Sequence, residues 1–438
     1  MKDLLEDWKR TYYSTGITPQ IQGEKVTIFG WVTSIRKQGG IVFIVIRDKE
    51  GEAQVTIKKD KASPSIREKL EILKEHSSIG VMGVVKSTTK TVGGAEIIPS
   101  ELKILSDVNK SPPFNIFGGQ LPGIDKRLDI RAVDLRRPHA QRVFKVREIV
   151  TKTMREYFHN HGYFEINTPK IISSATEGGA SLFPILYYDR EAFLTQSPQL
   201  YKEQLIMPFE KVFEIAPAFR AEQSRTLSHL SEFISIDVEE AYVGYRGIME
   251  TLEEMMKEVL KKLVESSNTQ IRDLNLKLQN RTNKFKVYSY EEALNIIRRK
   301  DGKIDWGDDI SVPCLEILNE DNQGFYFIID WPSSSKPFYI KPHTDRDEIS
   351  ESFDLMYGST EIVSGGTRVD TGELLVKRLK AQNLKPKAFE YHIKIFDYGM
   401  PPHSGFGLGL ERLLMALTGI KNVREVSFFP RDMRRLTP

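Results

Sequence analysis

Between Gly405 and Leu414 the chain reads Gly-Phe-Gly-Leu-Gly-Leu-Glu-Arg-Leu-Leu, and this run limits the fold more than any other. Glycine alternating with large apolar residues predicts a strand that other groups can approach closely, because half of its positions carry no side chain. From Leu410 the apolar residues crowd as they do on a helix, with Arg412 in its first turn. A dinucleotide-binding loop would need a βαβ unit after it, and the run sits too near the C-terminus for one. An arginine on the buried side of such a junction needs an anionic partner, either a protein carboxylate or a ligand phosphate.

Two further constellations precede it. Phe219-Arg220-Ala221-Glu222 closes a strand-like segment and is followed, after a polar loop, by His229-Leu230-Ser231-Glu232-Phe233. An arginine at a strand end suits a phosphate through paired, charge-assisted hydrogen bonds, and an aromatic returning on the next strand can flank a nucleotide. The alternative is a surface arginine in a hairpin. Earlier still, Gly162 to Ile172 reads as a helix exit leading into a strand that holds Pro169. Proline cannot donate to a ladder, so this strand is expected at an edge and at a subunit boundary.

The 438 residues exceed one small core, so two domains are expected. Residues 24–58 alternate apolar and polar side chains in three strands, a helical patch covers Ser65–His76, and two more strands follow at 79–88 and 94–105. Five strands with a helix after the third match the order of an OB barrel, with any small β-barrel or half-sandwich as the alternative. Residues 1–108 are therefore taken as the barrel, 109–130 as a Pro- and Gly-bearing linker, and 131–438 as a second domain. In that domain, helical periodicity runs over Val143–Phe158 and from about Ile248 to Val264. Strands are expected at 211–221, 231–243, 325–332, 361–369 and 390–399. Hairpin-length connections favour an α+β fold with an antiparallel sheet flanked by helices over a doubly wound one.

Composition narrows the function classes. One cysteine, Cys314, excludes an internal disulfide and a multi-cysteine zinc site, and it suits a reducing, cytoplasmic setting. No run approaches the length of a membrane helix, and MKDLLEDWKR lacks the apolar core of a signal peptide. Net charge is +3; residues 1–110 carry 18 Lys+Arg against 14 Asp+Glu, or +4, which leaves 45 against 46, or −1, for the rest. The small basic excess sits where a nucleic-acid module is expected.

The three constellations, in this order behind an OB-like domain, resemble motifs 1, 2 and 3 of the class II aminoacyl-tRNA synthetases. The resemblance covers nearly the whole chain and is to the subclass of aspartyl, asparaginyl and lysyl enzymes. The compact layout is similar to the archaeal and eukaryotic aspartyl type. It implies an ATP-dependent ligase in which Arg220 and Arg412 clamp the phosphates and Phe233 stacks on adenine beneath Arg412. His229 and Leu230 would lie beside the nucleotide, Gly409 would let it approach, and Glu222 would contact adenine or the tRNA end. Asp354 and Glu361 would hold Mg²⁺ against the phosphates, as a hard ion prefers; the alternative for both is a solvated charge on a strand. Aspartyl-adenylate formation by in-line attack, followed by transfer to tRNA, needs positioning and charge neutralisation more than acid–base chemistry.

Gln196-Ser197-Pro198-Gln199-Leu200-Tyr201-Lys202-Glu203 looks like the aspartyl Q-S-P-Q-x-x-K segment, whose lysine meets the substrate side chain. Arg368 matches an arginine reaching the same carboxylate. Ser197, Gln199, Asp237 and Ser364 match positions around the bound amino acid, and Glu177 lies in a loop, Thr176–Ser181, that resembles a closing lid. Otherwise Lys202 is an exposed helical lysine. In the barrel, Arg36, Phe43 and Gln54 match anticodon-reading positions, with the barrel core as the alternative for Phe43. Thr33 stands where relatives carry a larger residue, which leaves open whether tRNA-Asn is charged beside tRNA-Asp. A homodimer through Pro169 is implied, with no membrane partner. The competing readings are an asparaginyl or asparagine-forming relative, and a non-catalytic RNA-binding paralogue. Against the last stand the intact Arg220, Asp354, Glu361 and Arg412.

Overall fold

A computed structural model of the chain describes residues 2–91, 93–173, 182–221, 225–266, 271, 284–320, 322 and 324–438. They form two compact units, Met1–Leu121 and Pro122–Pro438.

The first unit is a closed barrel of β1 (Lys25–Gln38), β2 (Ile41–Arg47), β3 (Glu52–Lys58), β4 (Ser78–Ser87) and β5 (Ala95–Ser106), in the order β1-β2-β3-β5-β4. Alternation decides which side chains fill it: Val42, Ile44 and Ile46 of β2 are buried inside, so Phe43 between them faces outward and is half-buried. Phe43 is therefore not part of the barrel core. The helix after β3 spans Pro64–Ile72, capped by the Ser63 side chain on Ile66 N–H. It is shorter than the Ser65–His76 patch because Leu73 turns to extended backbone and leads the chain toward β4.

The second unit is built on an eight-stranded sheet in the order β12-β13-β14-β15-β16-β11-β10-β6. These are β6 (Phe164–Glu165), β10 (Lys211–Phe219), β11 (Glu232–Ala241), β12 (Lys286–Ser289), β13 (Phe325–Ile329), β14 (Ser352–Tyr357), β15 (Thr360–Thr367) and β16 (His403–Gly409). The interior strands pair antiparallel, while both edge strands, β12 and β6, join in parallel, so the sheet is mixed rather than purely antiparallel. A small sheet of β7 (Ile171–Ile172), β8 (Pro184–Tyr187) and β9 (Arg190–Leu194) accompanies it.

Long helices Pro138–Asn160 and Tyr245–Glu265 cover one face, each somewhat longer at both ends than its apolar periodicity predicts. Val146, Val150, Met154, Leu252, Met256 and Val259 on them pack with Ile236, Val238, Phe406 and Leu408 of the sheet as one apolar cluster. At ~25 cal/mol per Å², each fully buried residue of this kind contributes roughly 2 kcal/mol, which is why the face is continuous.

Two expectations are corrected. Residues 390–399 form a short helix, Glu390–Ile393, and a 3₁₀ turn, Lys394–Tyr398, instead of a strand. The alternation of Tyr391, Ile393 and Ile395 resembles a strand, but Phe389, Tyr391, Ile393 and Phe396 join one apolar cluster while His392 is buried between polar partners. Pro169 lies in the connection between β6 and β7, outside any ladder, where its missing N–H costs nothing. Among the described residues no helix is long and apolar enough to cross a membrane.

Candidate active site

The face of the sheet opposite the long helices carries the chemistry, and period-two alternation puts it there. Ser235, Asp237 and Glu239 of β11 pair with Gly409, Gly407 and Gly405 of β16. Gly407 and Gly405 pair in turn with Ser364 and Gly366 of β15, and Ser364 with Asp354 of β14. The glycines of β16 therefore form the floor of a trough between a row of acidic side chains and β15. Their smallness is required: a Cβ on Gly405 would stand 2.2 Å from the Val238 carbonyl oxygen and 2.3 Å from Glu239 Oε2. A Cβ on Gly365 would meet the Gly405 carbonyl oxygen at 2.6 Å.

Above this floor is a cavity of about 290 Å³ lined by Ser197, Gln199, Arg220, His229, Leu230, Phe233, Asp237, Glu361, Ser364, Arg368, Gly409 and Arg412, all singled out from the sequence. Gln196 and Glu411, quoted within the sequence motifs but given no role there, line it as well, as do Ser228, Ser235, Pro337, Tyr339 and Ile340, which were not anticipated. Glu177, with its loop Thr176–Ser181, and Glu222 lie outside the described residues.

At one end, Arg220 follows β10 directly and its guanidinium stands 5.4 Å over the Phe233 ring, because Ala218 and Phe233 are cross-strand partners. Its Nε is buried without a hydrogen-bond partner among the described residues, so the guanidinium keeps donor capacity that the protein does not use. Arg412 leaves the helix Leu410–Thr418 on the same side, donating from Nη1 to the Glu361 carbonyl oxygen at 3.2 Å and lying 3.2 Å by Nη2 from His229 Nε2. Glu411, next to it, is what anchors that helix: it accepts from Arg147 and from the Ile234 N–H, both at 3.0 Å. Two arginines, an aromatic ring and a histidine thus face one space, suited to a nucleotide and its phosphates.

At the other end, Arg368 is buried and donates to both oxygens of Glu239, from Nε at 2.8 Å and Nη2 at 3.1 Å. Burial works against its charge, yet Glu239 holds its pKa above the ordinary arginine value. Lys202, on the helix Gln199–Phe209, is 1% exposed and does not line the cavity; it is buried on the cavity side of the sheet, against the acidic row of β11. Its Nζ reaches Asp237 Oδ1 and the Phe406 carbonyl oxygen, both at 3.1 Å, and Glu239 Oε2 at 3.4 Å. The exposed-lysine alternative is therefore excluded, and Lys202 and Arg368 meet on the one carboxylate of Glu239. Ser235 donates to Asp237 Oδ2 at 2.6 Å, which fixes that carboxylate from its other side.

Glu361, its side chain about half exposed, stands in the cavity wall 3.7 Å from Arg412. Asp354 is buried and accepts from Lys336 Nζ with both oxygens at 2.7 Å. Burial pushes its carboxyl up to about 6, with Lys336 opposing and Glu361 reinforcing the shift. Neither Lys336 nor Tyr339 carried a sequence signal; both come from the connection between β13 and β14, and only the folded chain brings them here.

In the barrel, Arg36 pairs with Phe43 across β1 and β2, and its guanidinium lies 6.0 Å from the ring. Its Nη2 donates to Gln54 Oε1 at 3.4 Å, and Gln54 Nε2 donates to Thr56 and Glu96. The three residues form one outward patch of cation, ring and amide.

A carboxylate-lined sheet trough with a two-arginine nucleotide end, in a chain that also carries an OB barrel, defines a nucleotide-activating enzyme with a nucleic-acid module. The family described as tRNA synthetases class II (D, K and N) matches residues 123–433, and the OB-fold nucleic acid binding domain matches residues 26–105. The chain belongs to the class II tRNA synthetase family of the D, K and N type. It is 44% identical over 427 residues to the aspartate–tRNA(Asp/Asn) ligase of Archaeoglobus fulgidus, covering 97% of this chain and 99% of that one. With the aspartate–tRNA(Asp/Asn) ligase of Sulfurisphaera tokodaii it shares 45% identity over 430 residues, 98% of this chain and 100% of the relative. Among solved structures, asparaginyl-tRNA synthetase from Pyrococcus horikoshii complexed with asparaginyl-adenylate superposes with a TM-score of 0.92 at 32% identity, covering 98% and 100% of the two chains.

Proposed function

We propose that the chain is an aspartate–tRNA ligase, forming aspartyl-adenylate from aspartate and ATP and passing aspartate to the 3′ end of tRNA-Asp, with tRNA-Asn as a second acceptor. The observation that carries the choice of aspartate is the meeting of Lys202 and Arg368 on Glu239. Lys202 is shared between Asp237 and Glu239, so Glu239 takes only part of the N–H groups of Arg368, the cation that lines the cavity; its remaining donors suit an incoming carboxylate, whereas the amide of asparagine would turn a donor toward donors. The full-length identity to the two archaeal ligases supports the same reading.

ATP lies in this reading across Phe233, with Arg220 and Arg412 on its phosphates and His229 beside them. The amino acid sits over Asp237, Gln199, Ser197 and Ser364. Its α-carboxylate is then held near the α-phosphate, and pyrophosphate leaves as the adenylate forms. Arg220 and Arg412 stabilise the charge that develops on the phosphoryl oxygens.

The residues fit a magnesium ion in part. Glu361 offers an accessible carboxylate next to Arg412, while the oxygens of Asp354 are taken by Lys336. Among the described residues no group of three or more His, Cys, Asp or Glu is arranged to hold an ion by itself. That suits Mg²⁺, which keeps waters and substrate phosphates as ligands. When bound it would neutralise phosphate charge beside Glu361, with Asp354 behind.

Arg36, Phe43 and Gln54 are assigned to the anticodon, the ring stacking on a base and the amide reading its edge. Homodimer formation through the Pro169 connection is supported by exposed apolar side chains around it. Phe164, 53% exposed, stacks on Phe209 at 4.4 Å, and Ile171 is also exposed. Charging of purified tRNA-Asp and tRNA-Asn with labelled aspartate, side by side, tests the activity: aspartate on at least tRNA-Asp is expected, and aspartate on neither overturns it.

A further inference from the structure

Next to the amino-acid end of the cavity lies a buried polar cluster of which the activity just proposed uses only Gln199. Gln199 and Glu203 are one turn apart on the helix Gln199–Phe209, and both are almost wholly buried. Gln199 Nε2 donates to Glu203 Oε1 at 2.6 Å. His392 Nε2 lies 3.1 Å from Glu203 Oε2, and Gln204 Nε2 faces His392 Nδ1 at 3.2 Å. His403 donates from Nδ1 to the Pro401 carbonyl oxygen at 2.7 Å, which turns its Nε2 toward Glu203 Oε2 at 3.8 Å, an ion-pair distance.

A carboxylate only accepts hydrogen bonds, whereas a glutamine amide can present either its oxygen or its nitrogen. Glu203 removes that ambiguity. Because Glu203 Oε1 draws the Nε2–H group of Gln199 to itself, the amide of Gln199 turns its carbonyl oxygen to the cavity that it lines. A carbonyl there accepts from an ammonium; an NH₂ group there would repel one. The two histidines keep Glu203 ionised. Burial alone would raise its carboxyl, but His392 and His403 outweigh burial and hold it well below the usual carboxylate range. The Glu203 carboxylate in turn holds the His403 imidazolium above its ordinary pKa in spite of burial.

We infer that Glu203, braced by His392 and His403, is a positioning residue that fixes the Gln199 amide with its oxygen toward the substrate's α-ammonium group. The inference rests on the proposed placement of the amino acid at this end of the cavity.

The test is a double-mutant cycle of Glu203→Gln and Gln199→Ala in ATP–pyrophosphate exchange with the full chain. Glu203→Gln is close to isosteric but lets the Gln199 amide turn either way, so KM for aspartate is expected to rise about tenfold, the worth of one charge-assisted hydrogen bond. KM for ATP and kcat are expected to change far less. In the Gln199→Ala background the same Glu203→Gln change is expected to leave KM within about twofold, because the group it acts through is gone. An unchanged KM for aspartate in Glu203→Gln, equal rises for aspartate and ATP, or additive effects of the two substitutions would each overturn the inference. Should Glu203→Gln fail to fold, Glu203→Asp keeps the charge beside the histidines and withdraws the acceptor from Gln199 by one methylene; a selective rise in KM for aspartate is again expected, and none overturns it. Every amino acid carries the α-ammonium, so if asparagine rather than aspartate drives exchange, the proposed substrate fails while the cycle run with asparagine still decides the role of Glu203.

Discussion

Arg368 and Glu239 are joined by two hydrogen bonds, 2.8 and 3.1 Å long, between side chains that are both almost fully buried. This fork presents one edge of the guanidinium to the carboxylate, in a residue that also lines the cavity, and leaves N–H groups that Glu239 does not use.

Arg368→Lys keeps the charge but loses the fork. The ammonium can serve Glu239 or a substrate carboxylate, not both in fixed geometry. We expect kcat/KM for aspartate in exchange to fall by about 100-fold or more, an effect near 3 kcal/mol, with KM for ATP little changed.

Arg412→Ala is expected to abolish pyrophosphate exchange while leaving tRNA affinity nearly intact. Its side chain is partly exposed and meets His229 and Glu361, both in the cavity wall, so folding stability should drop by less than ~1 kcal/mol. Exchange, filter binding of tRNA and urea unfolding on one preparation measure the three quantities.

Gly405→Ala tests the trough floor. The added methyl would meet a backbone oxygen at 2.2 Å, and backbone inside a sheet cannot yield as a side-chain tip can. A loss of about 2 kcal/mol or more is expected in denaturant unfolding, with exchange reduced in the folded fraction.

How much of this was legible in the sequence follows from the range of each interaction. Arg220, Phe233, Gly409 and Arg412 sit on short strand–turn–strand and strand–helix segments, so their spacing already encodes which face they share. The segment that holds Lys202 was legible as a motif, but the burial of its Nζ between Asp237 and Glu239 follows from the packing of the helix Gln199–Phe209 against β11, which no local pattern records. Glu203 stands four residues from Gln199, and that spacing was a usable signal. His392 was hidden by an apolar alternation that reads as a strand and folds as a helix. Lys336 is set against Asp354 by the connection between β13 and β14, and its neighbourhood in the chain gives no hint of a carboxylate eighteen residues on.

The C-terminal segment is pinned by Asp432, which accepts from Arg424 Nε at 2.6 Å and from the backbone N–H groups of Arg434 and Arg435. Burial would raise its carboxyl, but these bonds prevail and lower it to about 2. A depressed carboxyl contributes stability above its unfolded pKa and loses it as pH falls through the folded value. The drop from 3.8 to about 2, discounted for solvent screening, corresponds to roughly 1–2 kcal/mol at neutral pH. Asp432→Asn should therefore be less stable than the unaltered chain at pH 7, with the gap closing as pH is lowered from about 4 to about 2. Urea midpoints across that range measure it, and a gap that persists at the acid end contradicts the assignment.

The proposed choice of aspartate depends on Arg368, paired with Glu239 at the cavity wall, selecting a carboxylate side chain. ATP–pyrophosphate exchange driven by aspartate and by asparagine, on the same enzyme with saturating ATP, tests it most directly. The expected kcat/KM for aspartate is at least about 1,000-fold above that for asparagine, as where the wrong ligand leaves buried donors unpaired. Equal values, or a higher value for asparagine, would contradict it.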